Sequence, residues 1–252
     1  MLGRLKNSTA RLWLSARDMI RRLATAPHAE NSIAVEPAVH PAEYSTAVEI
    51  VVPMVIELIR PRSVVDFGCN VGVWLEGFSR RGVTDILGID KGQTWTKQLK
   101  FPTEKFLDFD LEKVAHLSLE RAFDVALCLE CAEHLEPETA PYLVQALCRS
   151  APNIVFSAAI PGQTGFGHKN EQYPDYWKRL FSEHGFEMYD CFRQRIWTNP
   201  RVEFWYKQNM YLFSREPNTF SILVPKWDGS VYIAPELLER YVVRQGTHVS
   251  RI

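Results

Sequence analysis

V-V-D-F-G-C-N-V-G-V-W, at residues 64–74, is the stretch that indicates the fold. A β-branched apolar pair leads into Asp66, Gly68 and Gly72 bracket a turn, and a helical pattern follows. This order of strand, glycine turn and helix opens nucleotide-binding α/β sheets. Glycine allows a tight turn and lets the backbone approach a ligand closely. Asn70 stands where the middle glycine is expected, and Asn is one of the few other residues that tolerate a left-handed backbone.

Apolar runs and helical periods alternate on both sides of this turn. A helix is predicted before it at 42–59, and strands are predicted after it at 85–90, 105–109, 123–129, 153–158, 186–191 and 202–213. Further helices are predicted at 73–80, 139–150 and 174–184. The first five strands alternate with helices and should be parallel, whereas the last two are joined by a short link and should pair antiparallel. We therefore predict an α/β fold: a Rossmann-like sheet of about seven strands, mostly parallel with an antiparallel last strand, and helices on both faces.

The composition is that of an ordinary globular chain, with 46% hydrophobic and 23% charged residues among 252. Lys and Arg number 29 against 30 Asp and Glu, which gives no electrostatic reason to expect nucleic acid as a partner. No apolar run approaches the length of a membrane span. The five cysteines are few and odd in number, which favours reduced thiols and a cytoplasmic location.

Three regions are predicted along the chain. Residues 1–41 comprise a basic N-terminal helix and a proline-containing linker. The helix is interpreted as a surface element or basic arm, with peripheral contact to a membrane as the alternative. Residues 42–216 form the main domain. Residues 217–252 are a C-terminal extension that either caps the pocket or mediates association.

Four ordered motifs resemble those of class I S-adenosylmethionine-dependent methyltransferases. They are the glycine turn, I-L-G-I-D at 86–90, F-D-L-E at 109–112, and F-D-V-A-L-C-L-E-C-A-E-H-L at 123–135. The resemblance covers residues 42–214 and implies S-adenosylmethionine (SAM) as the cofactor. A dinucleotide dehydrogenase competes as an interpretation of the turn, but D-x-G-x-x-x-G lacks the G-x-G-x-x-G spacing of that class.

The resemblance implies that eight residues bind the cofactor: Asp66, Gly68, Asn70, Gly72, Asp90, Asp110, Leu111 and Glu130. Asp66 and Gly68 lie beside the methionine part of the cofactor. Asp90 takes the ribose diol, and Asp110 with Leu111 meets the adenine. These roles suit the residue types, because a carboxylate accepts two hydroxyl hydrogen bonds and an acid with a backbone amide reads an adenine edge.

Glu130, Glu133 and His134 form an E-x-x-E-H motif after the fourth strand, at the edge where chemistry takes place in this architecture. If the segment turns helically, the three side chains share one face. Carboxylates with an imidazole suit Mg²⁺ or Mn²⁺. The pattern is similar to that of two groups of metal-dependent methyltransferases, which act on the terminal ribose of small RNAs and on catechol precursors of ubiquinone. In the RNA group a further histidine comes from the loop after the fifth strand, and here His168 lies in such a loop.

The predicted metal site is therefore Glu130, Glu133, His134 and His168, with Glu133, His134 and His168 as catalytic residues. A metal would lower the pKa of one of two vicinal hydroxyls and align it with the methyl donor. Two alternatives stay open. One histidine could act alone as a general base, or the Glu-His turn could border the pocket without a metal.

Two later stretches suit a sugar acceptor, because aromatic faces stack on C–H faces while amides bind hydroxyls. They are the loop within 157–181 and F-W-Y-K-Q-N at 204–209. Both look like stretches of bacterial methyltransferases associated with surface polysaccharide and glycan synthesis. The predicted acceptor residues are Gln163, Asn170, Glu171, Trp205 and Tyr206. For any single aromatic residue, a place in the core is an equally good interpretation.

These observations predict a SAM-dependent O-methyltransferase that acts on a hydroxyl of a sugar, a glycan or a similar small diol, assisted by Mg²⁺ or Mn²⁺. One alternative is an RNA 3′-end ribose methyltransferase, which would need a basic groove that the charge balance does not favour. The other is a non-catalytic, cofactor-binding assembly subunit. The sequence leaves the acceptor and the oligomeric state open.

Overall fold

The computed structural model describes residues 45–92, 98–216 and 225–238. Its seven strands are β1 (Ser63–Phe67), β2 (Asp85–Asp90), β3 (Phe106–Asp108), β4 (Val125–Leu129), β5 (Asn153–Ser157), β6 (Glu187–Tyr189) and β7 (Tyr211–Ser214). They form one sheet in the order β3-β2-β1-β4-β5-β7-β6. β7 runs antiparallel to both of its neighbours, and the other pairs are parallel. The predicted fold class is confirmed, including the antiparallel last strand.

The α-helices of the main domain are α1 (Ala47–Ile59), α2 (Val73–Ser79), α3 (Ala140–Ser150), α4 (Pro174–Ser182), α5 (Arg193–Ile196) and α6 (Phe204–Asn209). α1 contains Pro53 and ends where Arg60 adopts a left-handed φ of 53°. The following Pro61 is the stop that the sequence indicated. The predicted start of α1 at residue 42, like the region 1–41, lies outside the described residues.

The prediction of a continuous strand over 202–213 is wrong. α6 occupies 204–209, and β7 begins only at Tyr211. Aromatic residues in this stretch have high β-propensity, but propensity yields to the requirements of packing and hydrogen bonding. Gln208 and Asn209 are almost fully buried and need polar partners. In the helical conformation both side-chain amides donate to Gln163 at the edge of the site.

The sheet is covered on both faces, as predicted. Successive residues of β1 alternate between two apolar cores, with Val65 in one and Val64 in the other. α3 and α4 contribute to the first core, and α1 and α2 contribute to the second. β1, β4 and β5 are buried along their whole length, which is typical of parallel strands between two helical layers. The carboxyl ends of these strands therefore open at one edge, where the site lies.

The described part of the C-terminal extension, residues 225–238, packs against the main domain. The backbone of Trp227 donates to the Met188 carbonyl (3.0 Å), and that of Asp190 donates to the Pro225 carbonyl (3.0 Å). Arg193 is fully buried and clamps this contact: its Nη2 lies 2.6 Å from Asp190 Oδ2, and its guanidinium lies between the rings of Tyr211 and Tyr232.

Candidate active site

The glycine turn after β1 has the backbone that its residues predicted. Gly68, Asn70 and Gly72 all have positive φ, at 79°, 50° and 82°. The Asn70 side chain stabilises its own turn, because its Oδ1 accepts a hydrogen bond from the Val71 amide (2.6 Å). A Cβ on Gly68 would lie 2.3 Å from the Cys131 sulfur, so glycine is required for the turn to pack on the segment after β4.

Two acidic residues predicted at the cofactor flank this turn. Asp90 ends β2, and its two oxygens accept from the amides of Asn70 (2.7 Å) and Lys91 (2.7 Å). Asp66 lies near the end of β1 and is 2% exposed. Burial, with a smaller contribution from the negative charge of Asp90, raises the pKa of Asp66 to about 7. A buried carboxyl of this kind is suited to receive a cationic group of a ligand.

The predicted adenine contacts lie at the start of a 3-10 helix after β3. Asp110 caps this helix, because its Oδ1 accepts from the Glu112 amide (3.1 Å). Its other oxygen accepts from the Lys91 ammonium (2.8 Å), which lowers the pKa of the carboxyl. Leu111 is buried, and its methyl lies 3.9 Å from the position that a Cβ on Gly68 would take. The structure thus brings Leu111 next to the glycine turn.

Glu133, His134 and His168 come together beyond the end of β4. Potential ligand atoms of the three side chains all lie within 4.8 Å of one another. The two imidazole rings meet edge to face, with centroids 4.9 Å apart. Glu133 is 1% exposed, and neither of its carboxylate oxygens has a hydrogen-bond partner among the described residues. Burial, reinforced by the nearby Glu130 carboxylate, raises the pKa of Glu133 well above its usual value, and the backbone amides of Glu133 and Ala159 oppose that rise without meeting hydrogen-bond geometry.

The loop that carries His168 is fixed by one carboxylate. Glu171 accepts hydrogen bonds from the amides of Gly162 (2.8 Å) and Thr164 (2.6 Å). The same carboxylate lies 2.8 Å from His168 Nδ1. A carboxylate oxygen accepts, so Nδ1 is the donor in this contact and Nε2 is the ring nitrogen that it leaves uncommitted. Glu171 was predicted to bind the methyl acceptor. In the structure its carboxylate lies against Nδ1 of His168.

Glu130 lies outside the group formed by the other three predicted ligands. Its backbone has a left-handed φ of 48°, and its carboxylate accepts from Gln163 Nε2 (3.0 Å) and Asn209 Nδ2 (3.2 Å). The 3-10 turn at Ala132–His134 begins only two residues later. The helical alignment that would have joined Glu130 to Glu133 and His134 therefore does not arise. Its role as a metal ligand stays a prediction that the geometry does not support.

A buried amide network surrounds Glu130. Gln163 Oε1 accepts from both Gln208 Nε2 (3.0 Å) and Asn209 Nδ2 (2.9 Å). Gln208 Oε1 in turn accepts from the backbone of Ala234 in the C-terminal segment (2.8 Å). Residues 204–209 are rich in amides, but only the aromatic Trp205 and Tyr206 were predicted to bind the methyl acceptor. Gln208 and Asn209 follow Glu130 by more than 70 residues, so only the fold reveals the network.

The remaining predicted acceptor residues have different environments. Asn170 is 1% exposed; its Oδ1 accepts from Gln172 Nε2 (2.9 Å), and its Nδ2 has no partner in the described part of the chain. Tyr206 is buried and meets Trp74 edge to face at 5.3 Å. Burial raises the pKa of its hydroxyl. Trp205 is half-buried and packs against two of the apolar cores.

Comparison with known proteins identifies the family. A family model described as a methyltransferase domain matches residues 41–190, which is more than half of the chain. The chain belongs to this methyltransferase family. This membership confirms the predicted enzyme class, a SAM-dependent methyltransferase.

The methyltransferase is similar to curated and solved proteins of the same class. It is 31% identical over 103 residues to a ubiquinone biosynthesis O-methyltransferase from Neisseria meningitidis serogroup C (strain 053442), a match that spans 38% of this chain and 41% of that protein. The chain thus matches about two fifths of the length of that relative.

Solved structures agree with the fold of the methyltransferase. A magnesium protoporphyrin IX methyltransferase from Synechocystis PCC 6803 with bound SAH has a TM-score of 0.52 at 16% identity, covering 80% of this chain and 94% of that chain. An amino pentose methyltransferase from Micromonospora echinaspora has a TM-score of 0.52 at 12% identity, covering 79% and 96%. At these identities the likeness concerns the fold alone. In the described residues of this methyltransferase, no helix combines the length and apolar character needed to cross a membrane.

Proposed function

We propose that this methyltransferase methylates a hydroxyl of a small vicinal diol, with a divalent cation held by Glu133, His134 and His168. One observation carries the proposal: a buried carboxylate without a partner faces two imidazoles. Burying an unpaired carboxylate is costly, and polar groups in native cores almost always have partners. A cation ligated by Glu133 would provide the missing partner.

The donor set fits such a cation. One carboxylate oxygen and two imidazole nitrogens suit a divalent first-row metal, and the nitrogens favour Mn²⁺ over Mg²⁺. When bound, SAM supplies an electrophilic methyl group and the cation lowers the pKa of a hydroxyl. Glu171 orients His168 in the way that carboxylates commonly orient metal-binding histidines. His134 is exposed and Glu133 is buried, so the cluster is open to an acceptor on the His134 side.

Several observations support a sugar or another small diol as the acceptor. Asn170, whose Nδ2 has no partner in the described residues, precedes Glu171 and is held to the cluster, because its backbone donates to the Glu133 carbonyl (3.0 Å). An amide N–H is suited to an acceptor oxygen. The curated relative is a ubiquinone biosynthesis O-methyltransferase, which supports oxygen as the methylated atom. All five cysteines are free thiols, which supports a cytoplasmic reaction, in glycan synthesis if the acceptor is a sugar.

Calorimetry tests the metal site directly. Titration of the wild type with Mn²⁺ should show one site per chain, and Glu133→Gln should weaken binding about 100-fold or more, because a neutral amide replaces the ligand that most favours a cation. Glu138→Gln is the matched control, because Glu138 is an exposed acid five residues further along. SAM should bind to all three proteins. Equal Mn²⁺ binding by wild type and Glu133→Gln would refute the metal site.

A methylation assay then tests the acceptor class. Wild-type protein with Mn²⁺ and methyl-labelled SAM is offered catechol and methyl α-D-mannopyranoside, together with phenol and the methyl 3-deoxyhexopyranoside, in which no two hydroxyls are on adjacent carbons. Labelled methyl ether should form from the diols only. Equal transfer to phenol would show that the vicinal hydroxyl is not used.

A further inference from the structure

The tip of the His168 loop presents an aromatic side chain to solvent. Phe166 is 98% exposed, and Tyr142, at 52%, is the other exposed large hydrophobic residue in the described part of the chain. Single apolar residues are common on protein surfaces, so exposure alone decides little. What distinguishes Phe166 is that both of its neighbours in the chain, Gly165 and Gly167, lie close to the His168 and His134 imidazoles.

The two residues that flank Phe166 are glycines for structural reasons. A Cβ on Gly165 would lie 2.2 Å from His168 Nε2, so any side chain there would displace the imidazole. Gly167 has a φ of 73°, and a Cβ on it would lie 3.7 Å from His134 Nδ1. The backbone of this tip therefore lies directly against both histidines, and Phe166 is the side chain that residues 165–167 present.

The loop is anchored on both sides of its tip. Glu171 holds the amides of Gly162 and Thr164 on the N-terminal side. On the C-terminal side the backbones of Lys169 and Asn170 donate to the Glu133 carbonyl, at 2.7 and 3.0 Å. The exposed Phe166 thus belongs to a loop that is tied to the cluster at its base.

We propose that Phe166 determines acceptor specificity by covering one apolar face of the acceptor, a sugar C–H face or a catechol ring. This inference rests on the proposed diol methylation, since it requires the hydroxyls to lie at the Glu133, His134 and His168 cluster. Aromatic rings stack on both kinds of face. Burying about half of a Phe side chain is equivalent to roughly a tenfold change in affinity.

Binding of two defined probes, catechol and methyl α-D-mannopyranoside, tests this inference in the presence of SAH. Mn²⁺ in the site should accelerate relaxation of the probe protons, which gives a dissociation constant without turnover. Phe166→Ala should raise that constant about tenfold, and Phe166→Trp should keep it within about twofold. Tyr142→Ala is the matched control and should change nothing. SAH affinity and melting temperature should be unaltered in all variants, because both side chains are exposed.

A fluorine label adds a readout that a structural role would not move. 4-Fluorophenylalanine at position 166, with Mg²⁺ in place of Mn²⁺, should show a resonance shift that saturates with the same dissociation constant. Probe relaxation that is unchanged by Phe166→Ala, with no fluorine shift, overturns the Phe166 inference and leaves the proposed function standing. Probes that are not relaxed by bound Mn²⁺ overturn the proposed function, and the Phe166 inference with it.

Discussion

Lowering the pH from 7 to 5 should weaken SAM binding about 50-fold through one residue, Asp66. Burial raises the pKa of this carboxyl from 3.8 to about 7, with Asp90 adding to the shift. About half of the Asp66 carboxyls are then ionised at pH 7 and about 1% at pH 5. The methionine part of SAM carries an ammonium group that stays protonated over this range. If Asp66 binds that group, only the ionised fraction is competent.

Calorimetry in buffers of different ionisation enthalpy measures the proton balance. At pH 7 the wild type should release about half a proton on binding SAM, because the ammonium group of SAM favours the ionised form of Asp66. Asp66→Asn should bind SAM weakly at both pH values, without this proton release. Proton release of the same size in Asp66→Asn would refute the reasoning, and so would a wild-type affinity that is flat between pH 7 and pH 5.

The same shift has the opposite consequence for the SAM-free protein. The folded-state pKa of Asp66 lies above the unfolded value, so the folded state binds the proton more tightly between pH 3.8 and about 7. The contribution of Asp66 to the free energy of unfolding therefore increases as the pH falls through this window. Urea titration of wild type and Asp66→Asn at pH 8 and pH 5.5 measures this contribution. The difference in free energy of unfolding between the two proteins should be larger at pH 8 than at pH 5.5.

Three further variants test the arrangement around the site. Glu171→Ala should weaken Mn²⁺ binding 10- to 100-fold without changing SAM affinity, because His168 loses its orienting partner; calorimetry with either ligand checks this. Glu133→Leu should abolish Mn²⁺ binding yet raise the free energy of unfolding of the metal-free protein by about 1–3 kcal/mol, measured in urea, because an unpartnered buried carboxyl is removed. Arg193→Ala should lower that free energy by about 3–5 kcal/mol, because it leaves Asp190 buried without its cation; an unchanged urea midpoint would contradict the clamp.

The first half of the fold was predictable from the sequence because local signals and tertiary structure agree there. β-Branched residues before Asp66, glycines at positive φ and an acid closing β2 each follow from local backbone chemistry. The prediction of a strand at 204–209 was wrong because local signals and tertiary structure disagree there. The aromatic residues of this segment favour a strand, and what overrides them is a set of amide contacts to Gln163 and Glu130, which are distant in sequence.

The E-x-x-E-H motif was predictable in chemistry and only partly in geometry. Helical spacing placed Glu130 with Glu133 and His134, but the Glu130 backbone is left-handed and Glu130 is not among the three side chains whose ligand atoms come together. No local pattern signals that conformation in a glutamate, because it is stabilised by the hydrogen bonds of a finished site. The structure brings His168 next to Glu133 and His134, since a loop after β5 returns to the same sheet edge.

The amide network of Gln163, Gln208 and Asn209 joins the part of the chain that matches the family model to the part that follows it. The family match ends at residue 190, yet α6, β7 and the segment that donates the Ala234 amide all lie beyond that point. The matched portion holds the glycine turn, the histidine cluster and Gln163, while Gln208, Asn209 and Ala234 lie beyond it. A chimera that joins residues 41–190 to the tail of another family member would replace Gln208 and Asn209 while keeping Gln163, Glu130 and the glycine turn.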